Sequence, residues 1–168
     1  MTVSLAYPLE QIIKVKQNRV EEQEKVVRAR QEALEKEKQK LKEKEEIRDK
    51  AKQHERDKLQ QLRDEMDHGT TSDKIQQMKA YLNVAKEKVQ IEEKKVKDQQ
   101  DQVELANKAL KAAQDELKIK RQEVDKLQIH KKDWLKEMQK ELEVIEAREQ
   151  DELGSTSFLS HKRMRERK

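Results

Sequence analysis

No cysteine occurs anywhere in the 168 residues, which removes disulfides, thiolate metal sites and a cysteine nucleophile, and is compatible with a reducing compartment. Proline appears once and glycine twice, so long stretches contain nothing that would interrupt a helix. There are four aromatic residues, Tyr7, Tyr81, Trp134 and Phe158, and the hydrophobic content is 32%. That is too little apolar material for a globular core of this length with an enzyme-like pocket. Apolar runs are missing as well: no stretch of about 18 apolar residues exists. The start, MTVSLAYPLEQIIK, has no basic region followed by an apolar core, so neither membrane insertion nor a cleaved leader is expected.

The residues that could carry chemistry are equally sparse. His54, His68, His130 and His161 are scattered without a second ligand at metal-site spacing, and read as surface or seam histidines. Gly69 and Gly154 cannot form a phosphate-cradling loop. Pairs such as Glu21 with Glu22 and Glu45 with Glu46 lie among lysines and read as solvated helix faces. The expectation is no catalytic residue, no metal and no cofactor.

Charge is abundant. Charged residues make up 45% of the chain and the net charge is +4. Residues 161–168, HKRMRERK, hold five basic residues and one acidic, which leaves 35 of each sign in residues 1–160. The body therefore has no basic surface that would select nucleic acid or a membrane. The basic end reads either as a solubilising tail or as a contact for an acidic protein, nucleic acid or membrane surface.

Periodicity separates this chain from a disordered one. Every seventh residue from Ile75 to Ile145 is apolar in ten cases of eleven, Lys131 being the exception, an outcome on the order of one in ten thousand by chance. This is one row of a coiled-coil seam. Its companion row, starting at Met78, is weaker and includes Ala85, Glu92, Gln99, Ala106, Ala113, Lys120, Leu127 and Trp134. An earlier row runs through Ile13, Val20, Val27, Leu34 and Leu41, then blurs into Ile47, Ala51, Leu59, Leu62 and Met66. Ile13 and Ile75 are not a whole number of heptads apart, so the two rows belong to different helices.

The break between them is MDHGTTSD, residues 66–73. Gly69 suits the left-handed residue that ends a helix, His68 sits by the carbonyl end, and Thr70 with Asp73 suits a capping box for the next helix. A connection this short joins antiparallel neighbours. The reading is an all-α fold, a long antiparallel two-helix coiled-coil hairpin with unequal arms. Its parts are an N-terminal extension (1–8), helix one (9–68), a turn (69–71), helix two (72–153) and a flexible basic tail (154–168). Pro8 suits the first turn of helix one and Gly154 the position after helix two.

With the reversal at 69–71, facing residues have numbers that add to about 140. Ile13, Val20, Val27, Leu34 and Leu41 then face the companion row of helix two, while Val124, Leu117, Leu110, Val103 and Val96 face Lys16, Gln23, Arg30, Glu37 and Lys44. Each layer holds one apolar row, and long polar stems cover the rest. From about residue 132 helix two has no partner on helix one, yet Trp134, Leu135, Met138, Leu142 and Ile145 keep an amphipathic face. Either Leu5, Tyr7 and Leu9 fold back over part of it, or it docks another protein. The tip, with Met66, Met78 and Tyr81, is a second candidate contact.

The segment LEQIIKVKQNRVEEQEKVVRARQEAL has an isoleucine-rich start, then Lys16, Arg19, Glu24 and Lys25 in a Lys-x-x-Arg and Glu-Lys pattern. With the length and the hairpin, it resembles the type III secretion stalk family of YscO and its flagellar relative FliJ, and its wording is nearest the chlamydial members. The resemblance implies a cytoplasmic, non-enzymatic component at the inner-membrane secretion apparatus. Such a component sits in the pore of the hexameric export ATPase, reaches the export gate, and contacts export chaperones and the needle-length regulator. The other readings of the residues are a structural homodimeric coiled coil joined through the unpaired face, and a nucleic-acid-binding arm using the basic end.

Overall fold

The computed structural model describes residues 6–166. They form two helices, α1 (Glu10–His68) and α2 (Ser72–Glu166), joined by residues 69–71, with no strand among the described residues. The architecture is the helical hairpin that the heptads require. Two compact units partition it: residues 23–117, which include the turn, and residues 1–22 together with 118–168.

In the unit of residues 23–117, the reversal is made at Gly69, whose φ is 77°. A side chain there would meet no atom within 4 Å, so the glycine is required by backbone conformation and not by space. The Gly69 N–H bonds the Met66 carbonyl at 3.4 Å, and His68 Nδ1 lies 2.7 Å from the Asp64 carbonyl, so one of the last free carbonyls of α1 has a partner. The start of α2 differs from the expected box on Thr70 and Asp73. Chain reversal takes residues 69–71, so the first helical bond runs from the Ile75 N–H to the Thr71 carbonyl at 3.2 Å. Thr71 therefore holds the cap position, and the residue three places on is Lys74, which pairs with Glu65 of α1 at 2.9 Å. Asp73 still lies in the first turn of α2, where a carboxylate complements the helix dipole.

The seam of this unit follows the two rows read from α2. Leu82, Ala85, Val89, Glu92, Val96, Gln99, Ala113 and Leu117 are buried, with Val103, Ala106 and Leu110 half-buried between them. On α1, Gln23, Leu34, Ala51 and Leu62 are buried. The α1 row does not blur: it continues through half-buried Arg48 and Glu55 to Leu62, leaving Ile47 and Met66 exposed. Helix geometry fixes which positions face the partner whatever residue stands there, and the stems of Arg48 and Glu55 supply the apolar cover.

Polar rungs join the helices where apolar residues run out. Buried Gln23 donates its amide to the Ala113 carbonyl at 3.1 Å. Gln99 donates to the Glu37 carbonyl at 3.1 Å and to the Glu37 carboxylate, and accepts from Lys44 at 3.0 Å. Lys52 pairs with Glu93 at 2.8 Å. No buried side-chain polar atom among the described residues lacks a partner, as a stable low-dielectric seam requires.

In the unit formed by the chain ends, Ile13 and Val124 are buried and Val20 and Leu127 half-buried. Lys16 pairs with Glu123 at 2.6 Å and Glu10 with Lys131 at 2.6 Å. α1 opens with the Ile13 N–H on the Leu9 carbonyl, so Pro8 lies in the turn just ahead of the helix and not in its first turn. At the other end the expected stop at Gly154 and the flexible tail from 154 are replaced by helix running to Glu166. Gly154 has an ordinary negative φ. The polar residues after it satisfy carbonyls of their own helix: Thr156 bonds Leu153, and Ser160 and His161 both bond Ser157. A glycine ends a helix only where it takes the left-handed conformation, and Gly154 does not take it. Arg167 and Lys168 of the basic end lie outside the described residues, as does Leu5.

Candidate functional site

The spacing of the heptads leaves residues 132–153 of α2 without a helical partner. α1 begins at Glu10, whose carboxylate reaches Lys131, so the helical pairing of this unit ends there. One turn further on, the chain start folds across α2. Tyr7 is 5% exposed; its ring lies 5.4 Å edge-on to Trp134 and 5.8 Å from the ring of His130. Its hydroxyl is 2.6 Å from His130 Nδ1. Ring pairs in this geometry add about 0.5–1.5 kcal/mol beyond their burial. Leu9 is half-buried beside this clasp. The fold-back reading therefore holds for Tyr7, and it accounts for Trp134.

Beyond the clasp the amphipathic face continues uncovered by α1. Leu135, Met138 and Leu142 are half-buried, and Ile145 is 49% exposed with Val144 beside it. The charged groups around this face are mostly acidic: residues 133–153 carry eight carboxylates and three basic side chains. The strip can accept an apolar partner surface and would favour one with basic margins.

At the tip the three expected contact residues do not share one surface. Met78 lines a recess of about 530 Å³ with Gln61, Asp64, Glu65 and His68. Met66 and Tyr81 are exposed and outside that recess. They stand one position off the seam, Met66 after Glu65 and Tyr81 before Leu82, and so flank it instead of closing it.

Of the residues that carry the family pattern, Lys16 bonds across the seam, to Glu123. Lys16 holds the Glu123 carboxylate below the usual carboxylate range through its hydrogen bond and charge, with a smaller contribution from Arg19. Arg19 and Lys25 are exposed and Glu24 is half-buried. His130, which reads from sequence as an ordinary surface or seam histidine, is a partner of Tyr7; the available signal is its position, one turn before Trp134 on the same helix face.

No group of three or more His, Cys, Asp or Glu side chains among the described residues is arranged to hold a metal ion. None of their helices is long and apolar enough to cross a membrane. What remains is a paired helical scaffold with one uncovered acidic strip, and known proteins share that scaffold. No curated protein matches the chain. A solved structure of a proposed YscO homologue, CT670 from Chlamydia trachomatis, superposes with a TM-score of 0.90 at 43% identity, over 95% of this chain and 98% of the other. The family model for YscO-like protein matches residues 4–164. Agreement of sequence and hairpin over nearly the full length places the chain in the YscO-like family, a structural family associated with type III secretion.

Proposed function

We propose that this chain is the non-enzymatic, cytoplasmic stalk of a bacterial type III secretion system at the inner membrane. In this reading it binds the export ATPase ring and links it to the export gate, the export chaperones and the needle-length regulator. The supporting observation is the strip beyond Tyr7, where Met138, Leu142 and Ile145 keep seam spacing with no α1 residue opposite them. A helix face that stays apolar without an internal mate lowers solubility unless another surface takes it up. Because Tyr7 already occupies Trp134, the docking part of the strip starts one turn later than Trp134.

Changing Met138, Leu142 and Ile145 together to Gln tests the proposal. Helix content by circular dichroism should stay at the wild-type level, and co-purification with the export ATPase should be lost. A folded triple variant that still retains the ATPase would move the contact elsewhere, with the tip as the next candidate.

A further inference from the structure

The unit of residues 23–117 carries a second apolar row that the seam does not use. Val84, Ile91 and Leu105 stand two places after the seam residues Leu82, Val89 and Val103, and all three are exposed, as is Tyr81 at 68%. Outward positions on so highly charged a helix are ordinarily polar. On α1 of the same unit, exposed Ile47 lines a groove of about 230 Å³ with Ala51 and Ala85. The rest of its lining is basic: Lys50, His54 and Lys88. Among the described residues Lys50 and Lys88 have no ion-pair partner, whereas Lys52 and Lys95 nearby are paired with Glu93 and Glu92. The groove thus combines an apolar floor with two uncompensated cations.

The complementary surface occurs in the other unit of the chain. Residues 133–153 hold eight carboxylates against three basic groups. Half-buried Leu142 and exposed Ile145 are bordered there by exposed Glu141, Glu146 and Glu149. We propose that this acidic strip of one copy docks in the basic groove of a second copy. Leu142 and Ile145 then lie against Ile47, Ala51 and Ala85, and the three glutamates face Lys50 and Lys88. Opposite charges at the margin set the register and discourage groove-to-groove or strip-to-strip pairing, which would place like charges together. Self-association of this kind covers the strip assigned above to the export ATPase, so the two contacts exclude each other. It stands without that assignment, because it needs only this chain.

Sedimentation equilibrium of the full chain at low salt, over roughly a hundredfold range of concentration, gives the first test. The average mass should rise above the 20.1 kDa of one chain as concentration increases, and fall back as salt screens the margin charges. Lys50→Glu with Lys88→Glu, and separately Glu141→Lys, Glu146→Lys and Glu149→Lys, should each weaken association by at least about tenfold while keeping wild-type helicity. Mixing the two charge-reversed variants should restore association between unlike chains, because the reversed strip matches the reversed groove. A wild-type chain that keeps its single-chain mass throughout, reversed variants that associate as the wild type does, or a mixture that stays dissociated would each overturn the proposal.

Discussion

Residues 23–117 and the unit of the two chain ends join the same pair of charged helices by different means. In the first, rungs such as Gln99 with Glu37 and Lys44 alternate with small apolar layers around Ala85 and Ala113. In the second, a single aromatic clasp, Tyr7 on Trp134 and His130, lies beyond two ion pairs. The first arrangement spreads its contacts over many small buried residues. The second adds one large buried ring, Tyr7, to a short seam of Ile13 and Val124. Loss of a single side chain should therefore matter more at the chain ends.

The largest expected effect tests that contrast directly. Tyr7→Ala removes a buried ring, its edge contact with Trp134 and the hydroxyl contact with His130, and should cost about 2–3 kcal/mol, somewhat below a fully enclosed ring because Trp134 is only half-buried. Trp134 is the sole tryptophan, so its fluorescence in a urea titration reports this unit selectively. Gln99→Leu, at the most bonded rung of the other unit, should change stability by less than about 1 kcal/mol. Removing a buried polar group in favour of an apolar one of similar size is close to neutral when its partners can reach water. Half-exposed Lys44 and Glu37 can. Equal losses at both positions would erase the contrast.

The two glycines sharpen it with opposite signs. Gly69→Val should destabilise the turn by about 1–2 kcal/mol, because φ of 77° strains a β-branched residue although space is open. Gly154→Ala should stabilise α2 by about 0.5–1 kcal/mol, since its backbone is helical and nothing lies within 4 Å of an added Cβ. Thermal melts of the two variants decide; a loss at Gly154 would mean that the helix does not run through it.

The smallest effect is electrostatic. Hydrogen bonds from Lys40 and Gln99 hold Glu37 below the usual carboxylate range, Lys108 does the same for Glu104, and Lys16 for Glu123. A depressed carboxylate pKa contributes stability above its unfolded value, and that contribution disappears as pH falls through the folded value. Glu104 is exposed and Glu37 and Glu123 are half-exposed, so the acid loss should be small. Glu104 pairs within α2, whereas Glu123 joins the helices. Glu123→Gln should therefore lower the Trp134 unfolding midpoint slightly at neutral pH, and the difference from wild type should vanish in acid. Glu104→Gln should leave that midpoint unchanged. A Glu123→Gln difference that widened in acid would contradict the sign.

Much of this fold was legible because a heptad is a long-range signal. The row from Ile75, the companion row with its polar members, and the reversal at Gly69 follow from periodicity and one backbone requirement. Residues that bond across the seam have numbers adding to between 136, for Gln23 with Ala113 and Gln99 with Glu37, and 145, for Lys52 with Glu93, with Lys16 and Glu123 at 139; the range brackets the 140 read from the turn. The errors share a cause. Arg48 and Glu55 hold seam positions that a search for apolar spacing does not see, and a glycine such as Gly154 carries a stop signal that counts only if its backbone turns left-handed, which it does not. The clasp was half legible: an aromatic before Pro8 could fold back, but its choice of Trp134 over the rest of the strip depends on ring geometry. The candidate strip was legible as spacing and as an excess of acidic residues; the basic groove was not, because Ile47, Lys50 and Ala51 of α1 line it together with Ala85 and Lys88 of α2.

The glutamine rungs also bear on mechanical slippage. A repeat of seven offers two antiparallel helices a ladder of alternative alignments, each shifted by one heptad and each keeping apolar residues in contact. In the observed alignment Gln99 meets Glu37, whose carbonyl and carboxylate both accept its amide. A slip of one heptad in either direction would still offer backbone carbonyls to both glutamines, but would put Arg30 or Lys44 where Glu37 stands, so that Gln99 would lose its carboxylate acceptor and both rungs would first have to break. Pulled along its axis, the hairpin would behave as a toothed rack, with Gln23 and Gln99 as its teeth: it should resist sliding until both rungs release, and then move by whole heptads.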